Sequence, residues 1–386
     1  MAGGKGEYDI DDAGKPCLLG TSDEPTTGQH LYLIFDDWPW GYSIRKLNLP
    51  LPLPPRSPHH HQPGPVPVKR LLPPCICLEA TRRHPLFFAA VGTNIIAAHT
   101  RNDFFNAPVP ECILPVFDVR SLGHFPIFIT VGDDELFALD MDSFKMFSMK
   151  QPQHEWSWCD LPLPPLIKSM DVTSIAVGSD GCTIFASTDS ATFAFDIVNS
   201  EWKQSSNCSL PLAGHANYVH ALGIFVGLSR VPGTYGHLCF CSKLGGDDEN
   251  VRLSKENLLL KDPVNHVGAT LVYLGGSEPG FCLVECVSTT QDKTVDMQLE
   301  ECDQLVNCVD EAGGGNCGEL HQNVDEGDGA SGSMQHRYLY RLTTFSLSFD
   351  NNGDLTTDET CVEQCYKVPE EVSEAIYLAN PVAFWL

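Results

Sequence analysis

"TIFASTDSATFAFDIVNSEWKQ", Thr183 to Gln204, alternates apolar and polar residues, breaks at Thr188–Ser190 and again at Asn199–Ser200, and ends on a tryptophan. Alternation with a period of two places successive side chains on opposite faces of a strand. With the preceding "SIAVG", the stretch predicts four short strands near Ser174–Gly178, Thr183–Ser187, Thr192–Ile197 and Glu201–Gln204. Phe195 and Trp202 lie on its third and fourth strands, on either side of the Asn199–Ser200 turn, and are expected to pack between neighbouring sheets.

The same design recurs along the chain. "FFAAVG" closes at Gly92, "IFITVG" at Gly132, "SIAVG" at Gly178, "ALGIFVG" at Gly227 and "ATLVYLG" at Gly275, with spacings of 40, 46, 49 and 48 residues. An earlier hairpin, "LYLIFDDWPWGYSIRKLNL", turns near Gly41, 51 residues before Gly92. Each glycine is expected to supply the positive φ of a tight strand-to-strand turn. A repeat of about 40–50 residues carrying four strands is the signature of a β-propeller blade. The expected fold is therefore all-β, a β-propeller of six blades with low helix content.

The segments "WSWCDLPLPPL", "TIFASTDSATFAFDIVNSEWKQ" and "LPLAGHANYVHALGIFVGLS", with "LYLIFDDWPWGYSIRKLNL" and "FITVGDDELFALD", resemble the kelch-like plant family filed as domain of unknown function sixteen-sixty-eight, abundant in grasses. The resemblance runs from about Leu31 to Phe349. It implies a propeller-like fold and no established activity, and it carries over no catalytic residue.

Three segments stand outside the repeat. Met1–His30 is rich in Gly, Asp, Thr and Ser and reads as a disordered tail, too short for an F-box-type helical adaptor. Pro50–Pro74 holds 10 prolines and the run His59-His60-His61, and reads as an extended inter-strand loop. Gln291–Gln335 holds 11 acidic residues and one basic residue and reads as a long acidic, Gly-rich surface insertion. The remainder, residues 31–386, is expected to form one propeller domain.

Charge narrows the partners. With 24 basic and 50 acidic residues the formal net charge is −26, which repels nucleic acid phosphates and anionic membrane surfaces. Neither is an expected ligand. The N-terminus "MAGGKGEYDI" shows no apolar signal region and no apolar run spans a membrane, so the expected place is intracellular, cytoplasm or nucleus. In a reducing compartment the 16 cysteines read as small buried thiols. Cys75/Cys77, Cys239/Cys241, Cys282/Cys286 and Cys361/Cys365 lack the Cys-x-x-Cys spacing of structural zinc.

Catalytic signatures are missing in turn. "GLSRV" and "GASGS" do not complete a nucleophile elbow, and "GGSEPGFC" lacks the lysine of a phosphate loop. "DNNGDLTTDETC", from Asp350, has its glycine at the fourth position where a calcium loop needs the sixth, and reads as a turn. His215 and His220 lack a helical zinc pattern, and His59–His61 lack preorganisation. Asp133/Asp134 and Glu300/Glu301 read as solvated charge. No catalytic, cofactor-binding or metal residue is expected. The expected function is a non-enzymatic scaffold for a protein partner, a basic one being the sharper reading of the acidic insertion; the alternative is an enzyme or small-ligand binder with its site at the central channel.

Overall fold

The computed structural model describes residues 28–38, 40–50, 66–80, 86–99, 117–118, 126–150, 156–165, 169–245, 251–259, 265–276, 279–289, 338–357, 361–372 and 378–386. Strands dominate them. The first run is β1 (Leu31–Trp38), β2 (Gly41–Leu47), β3 (Val68–Arg70), β4 (Ile76–Glu79), β5 (Leu86–Val91), β6 (Asn94–His99) and β7 (Phe117–Asp118). Then come β8 (Ile127–Val131), β9 (Glu135–Leu139), β10 (Phe144–Ser148), β11 (Trp158–Leu161), β12 (Ser174–Val177), β13 (Thr183–Ser187), β14 (Thr192–Asp196) and β15 (Glu201–Ser206). The rest are β16 (Leu212–Val219), β17 (Ile224–Ser229), β18 (Leu238–Cys241), β19 (Arg252–Leu253), β20 (His266–Gly275), β21 (Gly280–Ser288), β22 (Tyr338–Phe349), β23 (Leu355–Thr357), β24 (Val362–Lys367) and β25 (Val382–Trp385).

These strands form antiparallel meanders. One sheet has the order β25-β1-β2-β4, another β11-β10-β9-β8, and an eight-stranded sheet joins the β12–β15 and β16–β19 meanders through a parallel β12·β16 pair. A further sheet runs β20-β21-β22-β24-β3, and a three-stranded one runs β5-β6-β7. Strands lead each sheet from the inside: β8 touches β5 and β12, β16 touches β12 and β20, and β20 touches β25.

The core lies between sheets, and its clusters form a closed cycle. Tyr32, Ile34 and Ile44 meet Ile95 and Ala97; Val91 and Ile96 meet Leu136 and Phe147; Phe137 and Phe144 meet Ile184 and Phe195. Ala176 then meets Phe225, Val226 meets Phe281 and Phe345, and Val284 and Tyr340 return to Leu33 and Phe35. This is a propeller-like, all-β architecture in which each sheet is sandwiched by two others. Burial on both faces explains why the second strands β1 and β21 are buried along nearly their whole length and carry the unbroken apolar runs Leu31–Phe35 and Phe281–Val284, where a half-exposed strand would alternate. The cycle is closed by β25, which pairs with β1 from Leu31↔Trp385 to Ile34↔Val382. His30 continues that ladder through Leu386, and Trp385 Nε1 donates to Gln29 Oε1 at 3.1 Å.

Two of the expected turn glycines play other parts. Gly92, Gly132 and Gly275 have φ of 56°, 60° and 70°, as a tight hairpin requires. At the third turn the positive φ belongs to Gly181, and at the fourth to Gly223. Gly227 sits inside β17, where a Cβ would lie 3.1 Å from Leu212 Cδ2, so it is glycine for close packing of β16 on β17. Of the Pro-rich stretch, residues 51–65 lie outside the described residues, and Val68–Arg70 forms β3 on the edge of the β20–β24 sheet. The acidic insertion and residues 1–27 lie outside the described residues.

Phe195 and Trp202 are direct cross-strand partners, and both rings reach Phe144 of the adjacent sheet, at 4.9 and 5.2 Å between centroids. Trp202 is half-buried and its Nε1 donates to Pro162 O at 3.0 Å. Because part of the indole already meets water, Trp202→Ala is expected to cost about 2 kcal/mol, less than a fully buried ring. A urea midpoint unchanged by the substitution would show that the ring adds nothing to the inter-sheet contact.

Candidate functional site

In this topology every inner strand starts at one rim of the ring, here the near rim. The turns from second to third strands, and the links from a fourth strand to the next inner strand, return to that rim. Among the described residues they comprise Trp40, residues 140–143, 188–191 and 230–237, and the stretches 162–165, 169–173, 207–211 and 254–259. β21 ends, at Ser288, and β22 begins, at Tyr338, at the same rim.

Short polar residues build these turns. Asp140 N–H donates to Ser143 O and Thr188 N–H to Ala191 O, each at 2.9 Å. Thr188 Oγ1 accepts from the N–H groups of Ser190 and Ala191, and Ser229 Oγ lies 2.6 Å from Thr234 Oγ1. Neighbouring turns are tied together as well. Ser187 Oγ accepts from Leu210 N–H at 2.8 Å, Thr192 Oγ1 donates to Cys208 O at 2.8 Å, and Arg230 pairs with Asp189. Side-chain to backbone bonds of this kind fix loops without secondary structure.

On this stiffened rim large apolar side chains face water. Trp40 is 66% exposed and Tyr235 60%, and Leu163, Met170 and Val231 are exposed too. The two aromatics stand on clamped backbone: Trp40 O accepts from Ala80 N–H at 2.7 Å, and Tyr235 O accepts from Asn257 Nδ2 at 2.8 Å. Gly41, next to Trp40, must be glycine, since a Cβ there would lie 2.0 Å from Leu78 O. Exposed carboxylates Asp142, Asp171 and Asp189 give the rim an acidic cast. The sequence signals for these aromatics, "WPWG" and "GTYG", put a ring beside a turn glycine, but turn chemistry alone does not tell an exposed ring from a buried one.

A buried ionic group lies at the near-rim end of β20–β22. Arg341 Nη1 donates to Glu285 Oε2 at 2.7 Å, and its Nη2 donates to Leu258 O at 3.0 Å and Glu363 Oε1 at 3.1 Å. His266 Nδ1 is 3.1 Å from Glu285 Oε1. Glu285 and Arg341 are both buried, so the group ties strands together inside the protein.

The residues singled out from sequence fall elsewhere. His215 sits where the β16–β17 register shifts between Ala213 and Asn217, on an inner strand. The residue is exposed, and desolvation by the surrounding protein lowers its pKa. His220 stacks edge-on against Tyr218 at 4.8 Å. Cys239, Cys241, Cys282 and Cys286 are buried, and burial pushes the thiols of Cys282 and Cys286 far up, which makes them inert. Cys75, Cys77, Cys159, Cys182 and Cys208 are exposed, contrary to the expectation of buried thiols. Gly275 and Gly276 form the β20–β21 turn, and His59–His61, Glu300 and Glu301 lie outside the described residues. Among the described residues no three His, Cys, Asp or Glu side chains come together as a metal site, and no helix is long and apolar enough to cross a membrane.

The calcium-like stretch is a turn between β22 and β23. Asp350 Oδ1 accepts from the N–H groups of Asn352 and Asp354 at 2.8 and 2.9 Å, and Lys255 and Arg252 pair with Asp350 and Asp354. The Asp354 N–H first, and Lys255 next, hold the Asp350 carboxyl below its usual range. A depressed carboxyl stabilises the fold above its unfolded pKa and loses that contribution as pH falls through the lowered value. Asp350→Asn is therefore expected to lower Tm at neutral pH by an amount that shrinks to zero in strong acid. A Tm difference independent of pH would remove the charge from the explanation.

No curated protein matches the chain. Among solved structures, the WD40 domain of SCAP from fission yeast is similar at 11% identity and a TM-score of 0.28, over 65% of this chain and 55% of that one. The match thus spans about half of that chain. Residues 28–360, from just before β1 to just after β23, match the family described as protein of unknown function (DUF1668), and the chain belongs to that family.

Proposed function

We propose that this protein is a non-enzymatic scaffold: a six-bladed propeller over residues 31–386, inside the cell, that binds a protein partner through its near rim. The stretches 50–74, apart from β3, and 291–335 are surface excursions from that single domain. One observation carries the reading, the exposure of Trp40 and Tyr235 on clamped turns of the same rim. Interfaces concentrate their energy in aromatic anchors, and anchors on rigid backbone lose little entropy on binding. The acidic residues between β21 and β22, strands whose facing ends lie at that rim, support a partner whose contact surface is basic around an apolar centre.

The test uses affinity capture followed by binding measurements on the purified partner. Trp40→Ala and Tyr235→Ala are each expected to weaken binding about tenfold or more, the scale of a hot-spot anchor, with far-ultraviolet circular dichroism unchanged. Replacing Gln291–Gln335 by a short Gly/Ser linker is expected to abolish the salt-sensitive part of binding while changing stability by less than about 1 kcal/mol. A partner that binds both aromatic variants at full strength would move the interface off this rim.

A further inference from the structure

The outer corner of the β20–β24 sheet carries the opposite charge to the rest of the molecule. β3 ends the strand order there, and Val68, Lys69 and Arg70 are all exposed. Its parallel register sets Lys69 opposite Tyr366 and Arg70 opposite Lys367. Lys69 Nζ lies 5.8 Å from the Tyr366 ring centroid, which places it on the Tyr366 face. Arg70 and Lys367 therefore share the other face, on strands about 4.8 Å apart. Like charges directly opposite each other destabilise a sheet. Among the described residues neither cation has an ion-pair partner, although the chain carries a formal charge of −26.

The position of this corner indicates what neutralises it. On the other side of β24, Leu339 is the direct partner of Lys367, and Tyr338 O accepts from Val368 N–H at 3.1 Å. The acidic stretch thus rejoins the sheet one strand away from the unpaired cations. Single exposed ion pairs are worth only about 0.2–1 kcal/mol. A segment tethered beside its target, however, acts at an effective concentration in the millimolar range, and several such pairs add.

We propose that the basic edge formed by Lys69, Arg70 and Lys367 is the docking site for the chain's own acidic stretch, Gln291–Gln335. Its carboxylates neutralise the Arg70–Lys367 pair across the open side of β3. A basic partner at the near rim then competes with this internal contact for the same carboxylates. The inference about the edge does not depend on that partner.

Carbodiimide cross-linking of the 386-residue chain, read by peptide mass spectrometry on a mixture of 15N-labelled and unlabelled protein, tests it. The expected result is links from Lys69 and Lys367 to acidic residues between Asp292 and Asp328, within one chain. Their yield should fall at least about fivefold in 1 M salt, where charge is screened over about 3 Å, and likewise in Arg70→Glu. The salt comparison uses the unaltered protein, so it stands whether or not the variant folds. Links that avoid Lys69 and Lys367, links formed only between chains, or yields indifferent to salt would each overturn the proposal.

Discussion

Arg341→Met is expected to lower stability by about 3–5 kcal/mol, because it takes the guanidinium partner from a buried carboxylate. Glu285 has no exposed surface, and Arg341 gives it a charge-assisted bond at 2.7 Å while also holding Leu258 O. Taking two charges out of water costs several kcal/mol apiece, so the pair adds little over an apolar pair of the same shape, whereas half of it is strongly unfavourable. The pairing of Arg341→Met with Glu285→Leu should therefore recover most of the loss. Urea denaturation of the two variants makes the comparison. A single variant within about 1 kcal/mol of the parent would mean that the carboxylate finds water or takes up a proton at little cost.

Phe195→Ala is expected to cost a similar amount, about 3–5 kcal/mol, by a different route. The ring is fully buried and sits between two sheets, 4.9 Å from Phe144 and 6.3 Å from Phe137, with Trp202 at 5.1 Å on its own sheet. Removing it leaves a cavity that strands from both sheets would have to shift to fill. In a double-mutant cycle, Phe144 and Phe195 should couple by about 0.5–1.5 kcal/mol beyond their separate losses. Strict additivity would place the two rings in independent environments and contradict the inter-sheet packing.

The ring was legible in the sequence because hairpin chemistry is local. The strands predicted around Thr183–Gln204 appear as β12–β15, with Asn199–Ser200 as the last turn, where Ser200 takes a φ of 53°. Gly227 misled for an equally physical reason. A glycine that lets two strands approach and a glycine that turns a chain look alike in one dimension, and only the pairing of β16 with β17 separates them. The near rim was less legible still. Exposure of Trp40 and Tyr235 depends on which loops the topology gathers at one end of the ring, and Glu285 with Arg341 lie 56 residues apart in sequence, across the acidic insertion. The opposition of Arg70 and Lys367 requires β3 to cross to the edge of a distant sheet, which no local pattern encodes.

The pairing of β25 with β1 also bears on how the chain is made. The strand that completes the first sheet is synthesised about 350 residues after the strand it must join. At about 5–20 residues per second, Leu31–Ile34 wait roughly 20–70 s on the ribosome with one edge unpaired. Throughout that time the apolar faces of β1 that will be covered by Tyr340 and Val284 remain open to other chains. An unpaired strand edge beside an apolar face is the usual starting point for misassembly. The exposed edge is removed only when the closing strand has emerged, so variants that slow elongation within this stretch are expected to increase the aggregated fraction, read by sedimentation, without altering the finished ring.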